Sequence, residues 1–134
     1  MKRVLVLVAL LVAGCGVQPT EPIGGSRAKG ALIFLVQQGT VQPVLRATRH
    51  EVTRLEMLRE LATGPNAMEK AGNYSSEVPK DLGPLSVDDS TVTVTVDVTT
   101  LSTMALAQIA CTAAPGPVTV QGGGQTRGPV NCPV

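Results

Sequence analysis

Residues Ser86 to Val98 read SVDDSTVTVTVDV, and this stretch decides the fold class. Val92, Val94, Val96 and Val98 alternate with Thr91, Thr93, Thr95 and Asp97. A period of two places the valines on one face of a strand and the threonines on the other. Asp88-Asp89-Ser90 supplies turn chemistry just before it, so Leu82 to Val87 is expected to return as the other arm of a hairpin. Downstream, Ser102 to Ala113 is almost wholly apolar, with Gln108 its one long polar side chain, and reads as a helix packed closely on a sheet. Pro115-Gly116-Pro117 stops that helix, and Val118-Thr119-Val120 is a short last strand. Strand, helix and strand in that order predict a right-handed crossover joining two parallel strands.

Upstream, Ala31 to Val36 (ALIFLV) is a continuous apolar run of strand length. Gln37-Gln38-Gly39-Thr40 turns the chain, and Val41 to Arg46 (VQPVLR) returns as a second strand. Pro43 cannot donate to a ladder, which predicts that this strand lies at a sheet edge. A helix follows. Thr53 with Glu56 has capping-box spacing, and Val52 with Met57 stands where a hydrophobic staple would be. Thr48 with Glu51 is a competing start one turn earlier, so the sequence leaves the first turn open. Leu55, Leu58, Leu61 and Ala62 share a face, and Gly64-Pro65 ends the helix. Asn66 to Ala71 has room for one further turn. The expected class is α/β in the α+β sense: two layers, a small mixed sheet, and two main helices packed on it.

The first residues speak to location. Lys2 and Arg3 precede an uninterrupted apolar run, Val4 to Val12 (VLVLVALLV), followed by Ala13, Gly14 and Cys15. As a helix this run would reach about 14 Å, roughly half of a ~30 Å hydrocarbon core. It suits the apolar region of a secretory signal. Val12-Ala13-Gly14-Cys15 resembles the bacterial lipoprotein signal, in which small residues precede a cysteine that is acylated and becomes the first mature residue. The division expected is therefore a signal peptide over 1–14, a lipidated Cys15 with a flexible tether over 15–30, and one domain over 31–134. The tether, Gly16 to Lys29 (GVQPTEPIGGSRAK), shows little apolar periodicity. The expected location is the extracytoplasmic face of a bacterial membrane, held by lipid. Cys111 and Cys132 are the remaining cysteines, and in an exported domain their simplest fate is a disulfide.

Composition narrows function by exclusion. The chain has 134 residues, formal net charge +1 and 1% aromatic residues, with one Phe, one Tyr and no Trp. Removing Lys2 and Arg3 leaves nine basic residues against ten acidic. Such a chain has no basic patch and no stacking platform, so nucleic acid is not expected as a partner. His50 is the sole histidine and sits in a polar stretch, which leaves no zinc ligand set; no metal and no cofactor are expected. Asp88-Asp89 reads as turn chemistry rather than as paired carboxylates. Gly24-Gly25-Ser26 and Gly122 to Gly124 lack the lysine and the following helix of a phosphate loop. No G-x-S-x-G occurs. A hydrolase would have to draw on Ser75 or Ser76 with His50, and no catalytic residue is assigned.

Taken in order, these segments resemble the sporulation and spore-germination (GerMN) domain of small actinobacterial lipoproteins. The resemblance is carried by Ala31-Leu32-Ile33-Phe34-Leu35-Val36, by Val44-Leu45-Arg46, and by Leu58 to Pro65 (LRELATGP), which looks like the family's LRxLLxGP helix end. Val92 to Asp97 looks like its TVTVDL strand and Leu106-Ala107-Gln108-Ile109 like its LAQIV helix. Coverage runs from about Gly30 to Val120. Gly72 to Pro79 (GNYSSEVP) follows the family's GLTSxIP only loosely. After the second helix this chain is expected to depart from the family, with a short strand and a glycine-rich, cysteine-tethered tail in place of a longer strand and hairpin. The resemblance implies a non-enzymatic binding or assembly module that engages an envelope protein or a second copy of itself. The alternative is a lipoprotein that binds a small ligand or cell-wall fragment in a cleft beside Tyr74 and Gly72 to Pro79. The Thr91, Thr93, Thr95 face is either solvated or an edge for strand addition. Arg46, Arg49, Arg54 and Arg59, interleaved with Glu51, Glu56 and Glu60, read as a solvated ion-pair face.

Overall fold

The computed structural model describes Gly16 and residues 29–134. Cys15 and the expected signal peptide lie outside the described residues, as does most of the expected tether. The elements in order are β1 (Gly30–Gln37), β2 (Thr40–Ala47), α1 (Arg54–Thr63), α2 (Ala67–Ala71), β3 (Ser86–Asp88), β4 (Thr91–Thr93), a 3-10 turn (Val98–Thr100), α3 (Thr103–Ala113), β5 (Val118–Gly122) and β6 (Gln125–Val130). They form one small α+β domain. Its strands fall into two sheets rather than the single mixed sheet expected: β1 with β2, and β3-β4-β5-β6.

β1 and β2 form an antiparallel hairpin in which Gln37 faces Thr40 across the two-residue turn Gln38-Gly39. Both turn residues have positive φ, 52° and 75°, the combination that matches the twist of the flanking strands. Phe34 lies opposite Pro43. The amide of Phe34 donates to Thr112 Oγ1 at 3.2 Å and its carbonyl accepts from Gln108 Nε2 at 3.0 Å. Both groups therefore face away from β2. Pro43, directly opposite in a pair that exchanges no ladder bonds, likewise turns its nitrogen outward. The missing donor costs nothing there, and β2 is the sheet edge that proline predicted.

α1 begins at Thr53. The Thr53 hydroxyl accepts from the Glu56 amide, and the Glu56 carboxylate accepts from the Thr53 amide at 2.7 Å. The competing start is consumed otherwise, because Thr48 Oγ1 donates to the His50 carbonyl at 2.7 Å. Leu58 and Leu61 are buried, and Val52, Leu55, Met57 and Ala62 pack partly against the same core. α2 repeats the capping device with Asn66 and Glu69.

In the second sheet, Asp89 (φ 53°) and Ser90 form the turn between β3 and β4, and β4 pairs with β5 in parallel, as the strand–helix–strand order predicts. The long valine–threonine strand is shorter than its periodicity suggests. Regular pairing ends at Thr93. The Val94 amide still donates to Gln121 O, whereas the Thr95 amide donates to Leu82 O. Asp97 then caps the 3-10 turn, accepting from the Thr99 amide at 2.9 Å and the Thr99 hydroxyl at 2.7 Å. The chain leaves the ladder at Thr95, whose amide and hydroxyl both bond Leu82 O, before Asp97 takes it into the 3-10 turn. Val92, Val94 and Val98 are nevertheless buried, so the valines do face the core.

The glycine-rich tail is also corrected. β5 runs to Gly122, Gly123 and Gly124 form a two-residue turn with φ 63° and 76°, and β6 returns antiparallel. A Cβ on Gly123 would lie 2.6 Å from Asp97 Cα, so the turn nests against the end of the valine run. The expected departure, a tail without a hairpin, does not hold.

α3 lies along the β1 edge that β2 leaves open. Ile109, Ala105 and Ala110 enter the main core with Ile33, Leu35, Val92, Val98, Val118 and Val120. Ala107 and Cys111 turn instead to a second cluster with Val41, Phe34, Met104 and Cys132. Two cores on two sides explain why this helix is apolar almost all round.

Candidate functional site

The second cluster borders a cavity of about 580 Å³ at the tip of the hairpin. Its floor is Val41, Met104 and Ala107; the tail residues Pro133 and Val134 form one wall, and Glu77, Ser102 and Thr103 stand at its polar margin. The size falls within the ~300–1,000 Å³ range of small-molecule sites. The wall is held in place by the disulfide joining Cys111 on α3 to Cys132, with Cα atoms 4.6 Å apart.

The segment carrying Glu77 is fastened by one side chain. Gln108 is fully buried, and its Nε2 donates to Phe34 O and to Ser76 Oγ, both at 3.0 Å. Its Oε1 accepts from the Glu77 amide at 2.9 Å. Ser75 extends the attachment by exchanging two backbone bonds with Val36, each 2.8 Å. Gln37 Nε2 adds a bond to Gly72 O at 2.9 Å. Gly72 to Pro79 is thus an irregular segment held to β1 through the single bridge of Ser75 with Val36. Of the segment expected to border a cleft, Glu77 lines the cavity, whereas Tyr74 does not and is half-buried against the main core.

The candidate hydrolase residues are not brought together. Ser75 and Ser76 sit at the hairpin tip, beside Val36. His50 follows β2 at the opposite end, about 20 Å away along a strand rising ~3.3 Å per residue. The threonine face is not a strand-addition edge, because β4 is flanked by β3 and β5. Thr93 Oγ1 accepts from Gln121 Nε2, and Thr95 Oγ1 donates to Leu82 O.

The expected solvated ion-pair face is partly internal. Arg46 binds Glu69 with two nitrogens, at 2.9 and 2.8 Å, and Glu60 Oε2 at 2.9 Å. It also donates to the Gly64 carbonyl at 2.7 Å, closing the end of α1. Glu69, a buried carboxylate, was missed in the sequence because it belongs to a separate short helix. The Arg46 guanidinium holds its carboxyl below the usual carboxylate range, against the opposing effect of burial. Glu69 in turn raises Arg46 further above its ordinary value. Among the described residues no group of three His, Cys, Asp or Glu side chains is placed to hold a metal.

No family model matches the chain, and neither curated proteins nor solved structures yield a match.

Proposed function

We propose that this chain is a lipid-anchored protein of the extracytoplasmic face of a bacterial membrane, and that its domain is a non-catalytic binding or assembly module. The observation that carries the binding half is the apolar cavity at the hairpin tip, walled by a disulfide-held tail. A concave apolar surface with a few polar groups at its margin is the form that binding sites take. The anchor half is supported by the order Lys2-Arg3, apolar run, small residues and Cys15. The GerMN-like order of motifs supports an accessory role with an envelope protein as partner, or a second copy. The cavity favours a second reading as well, in which the occupant is a small apolar ligand or wall fragment.

Mass spectrometry of the chain from native membranes, with and without reduction, tests the anchor. The expected mass starts at an acylated Cys15 and lacks two hydrogen atoms that reduction restores. An unacylated chain retaining residues 1–14 overturns the location. Crosslinking in membranes tests the partner: capture of a defined envelope protein supports assembly, and background alone removes it. A ligand series that shifts thermal unfolding in the wild type but not in Ala107→Phe, which fills the cavity floor, would favour the small-ligand reading.

A further inference from the structure

The cross-strand pairs of the β1–β2 hairpin sort its side chains between two faces. One face carries Ala31, Ile33, Leu35, Gln37, Thr40, Gln42, Val44 and Arg46. The other carries Gly30, Leu32, Phe34, Val36, Val41, Pro43, Leu45 and Ala47, with no polar side chain among the eight. The face turned away from the main core is therefore the more apolar of the two. Its tip half is covered: Val36 and Val41 are buried, with Met104 and Ala107 packed beside Val41. Its root half is bare. Leu32 and Leu45, directly opposite each other, are 42% and 49% exposed, and Pro43 and Ala47 are exposed beside them.

The root is also where the chain arrives from Cys15. Lys29 accepts a bond from the Thr48 amide at 3.0 Å, one step beyond the Gly30–Ala47 pair. Fourteen residues, Gly16 to Lys29, separate that point from Cys15. A random coil of fourteen residues would span about 20 Å root-mean-square, less than the ~30 Å breadth of a domain of this size. We propose that the root of this hairpin face rests on the bilayer to which Cys15 would tether the chain, with Leu32 and Leu45 at the boundary of headgroups and acyl chains. The inference rests on the lipid-anchored reading above.

Charge agrees with that occupant. The face itself holds no charge to desolvate. Lys29 and Arg49 are exposed at its root, and neither forms a salt bridge with another described residue. Glu51 offsets one of them, leaving a small positive excess toward anionic headgroups. The outer edge of β2 carries unpaired backbone groups that hydrocarbon would not satisfy, so the hairpin lies flat and shallow, its edges in the hydrated headgroup layer. A second copy fits less well. The four bare or half-bare side chains Leu32, Phe34, Pro43 and Leu45 present on the order of a few hundred Å². A stable protein interface buries roughly 800 Å² per partner.

The chain contains no Trp, so a single introduced one reports alone. With Cys111 and Cys132 bonded, Cys15 is the one remaining thiol, and a maleimide lipid attached there seats the full chain on vesicles whether or not cells acylate it. This separates the two failures: an unacylated native mass removes the cellular anchor, while the vesicle experiment judges the face. Leu45→Trp and, as control, Thr126→Trp on β6, which makes no contact with the hairpin, are read on anionic vesicles with brominated acyl chains. The expected result is at least about threefold stronger quenching at position 45. Amide exchange of the wild-type chain guards against the Trp itself seeking the interface: slower exchange at Leu45 and Ala47 than with a soluble maleimide is expected. Equal quenching at both positions, or unchanged amide exchange, overturns the proposal. A blue-shifted Leu45→Trp that brominated lipid does not quench also overturns it, and would place protein, such as a second copy, on the face.

Discussion

The Gln108 side chain reaches the carbonyl of Phe34, 74 residues earlier, at 3.0 Å, from a helix position with no exposed surface. The same amide holds Ser76 Oγ and the Glu77 amide. One side chain thereby satisfies the open edge of β1 and fastens the irregular segment that borders the cavity. A buried network of this kind is costly to leave half made.

Gln108→Leu removes the amide but keeps much of its volume, leaving the Phe34 carbonyl and the Glu77 amide without their partners. We expect a loss of about 2–3 kcal/mol in denaturant unfolding, with amide exchange at Glu77 quickened more than in β5. A variant within 0.5 kcal/mol of wild type would show that water replaces the amide.

Glu69 is expected to make stability depend on acid. Its carboxyl is held below the usual range by Arg46, so the stabilisation is complete above the ordinary carboxylate value and is lost as pH falls through the lowered folded value. Glu69→Gln should flatten that acid limb and, near neutral pH, cost about 2 kcal/mol, because Arg46 keeps Glu60 and the Gly64 carbonyl. Thermal unfolding followed from pH 7 to pH 3 in both proteins checks the sign; parallel curves would contradict it.

Reduction of the Cys111–Cys132 bond releases a cross-link spanning a sequence separation of 21. The chain-entropy model gives a loss of about 3 kcal/mol. β6 should persist through its pairing with β5, so the change is expected at residues 131–134, which wall the cavity. Circular dichroism and ligand titration before and after reduction would read the two effects separately.

Pro43 faces outward where no ladder bond is lost. Pro43→Val should leave unfolding free energy within about 0.5 kcal/mol of wild type, since the β1–β2 pairing is untouched. It restores a donor to the free edge of β2, and concentration-dependent association in gel filtration is the expected consequence. Unchanged elution up to millimolar concentration would show that other features keep that edge monomeric.

Much of this architecture is present in local chemistry. Thr53 with Glu56, Asn66 ahead of its short helix, Gln38-Gly39 and Asp89-Ser90 each solve a backbone problem with their own neighbours, so their positions follow from residue type and spacing. The valine period likewise names the buried face, and Pro43 names the edge. What only tertiary structure decided are the relationships between distant side chains. Nothing near Gln108 announces that Phe34 and Glu77 will present unpaired groups to it. Glu69 finds Arg46 from another element, 23 residues away. The same holds for the strand that ended early at Thr93, because Thr95 bonds the carbonyl of Leu82 rather than a neighbouring strand. It also holds for the cavity, which exists only where the hairpin tip, α3 and the disulfide-held tail meet. Local hydrogen bonding and periodicity act within a few residues and can be read along the chain; burial and pairing across dozens of residues depend on how the elements come to lie together.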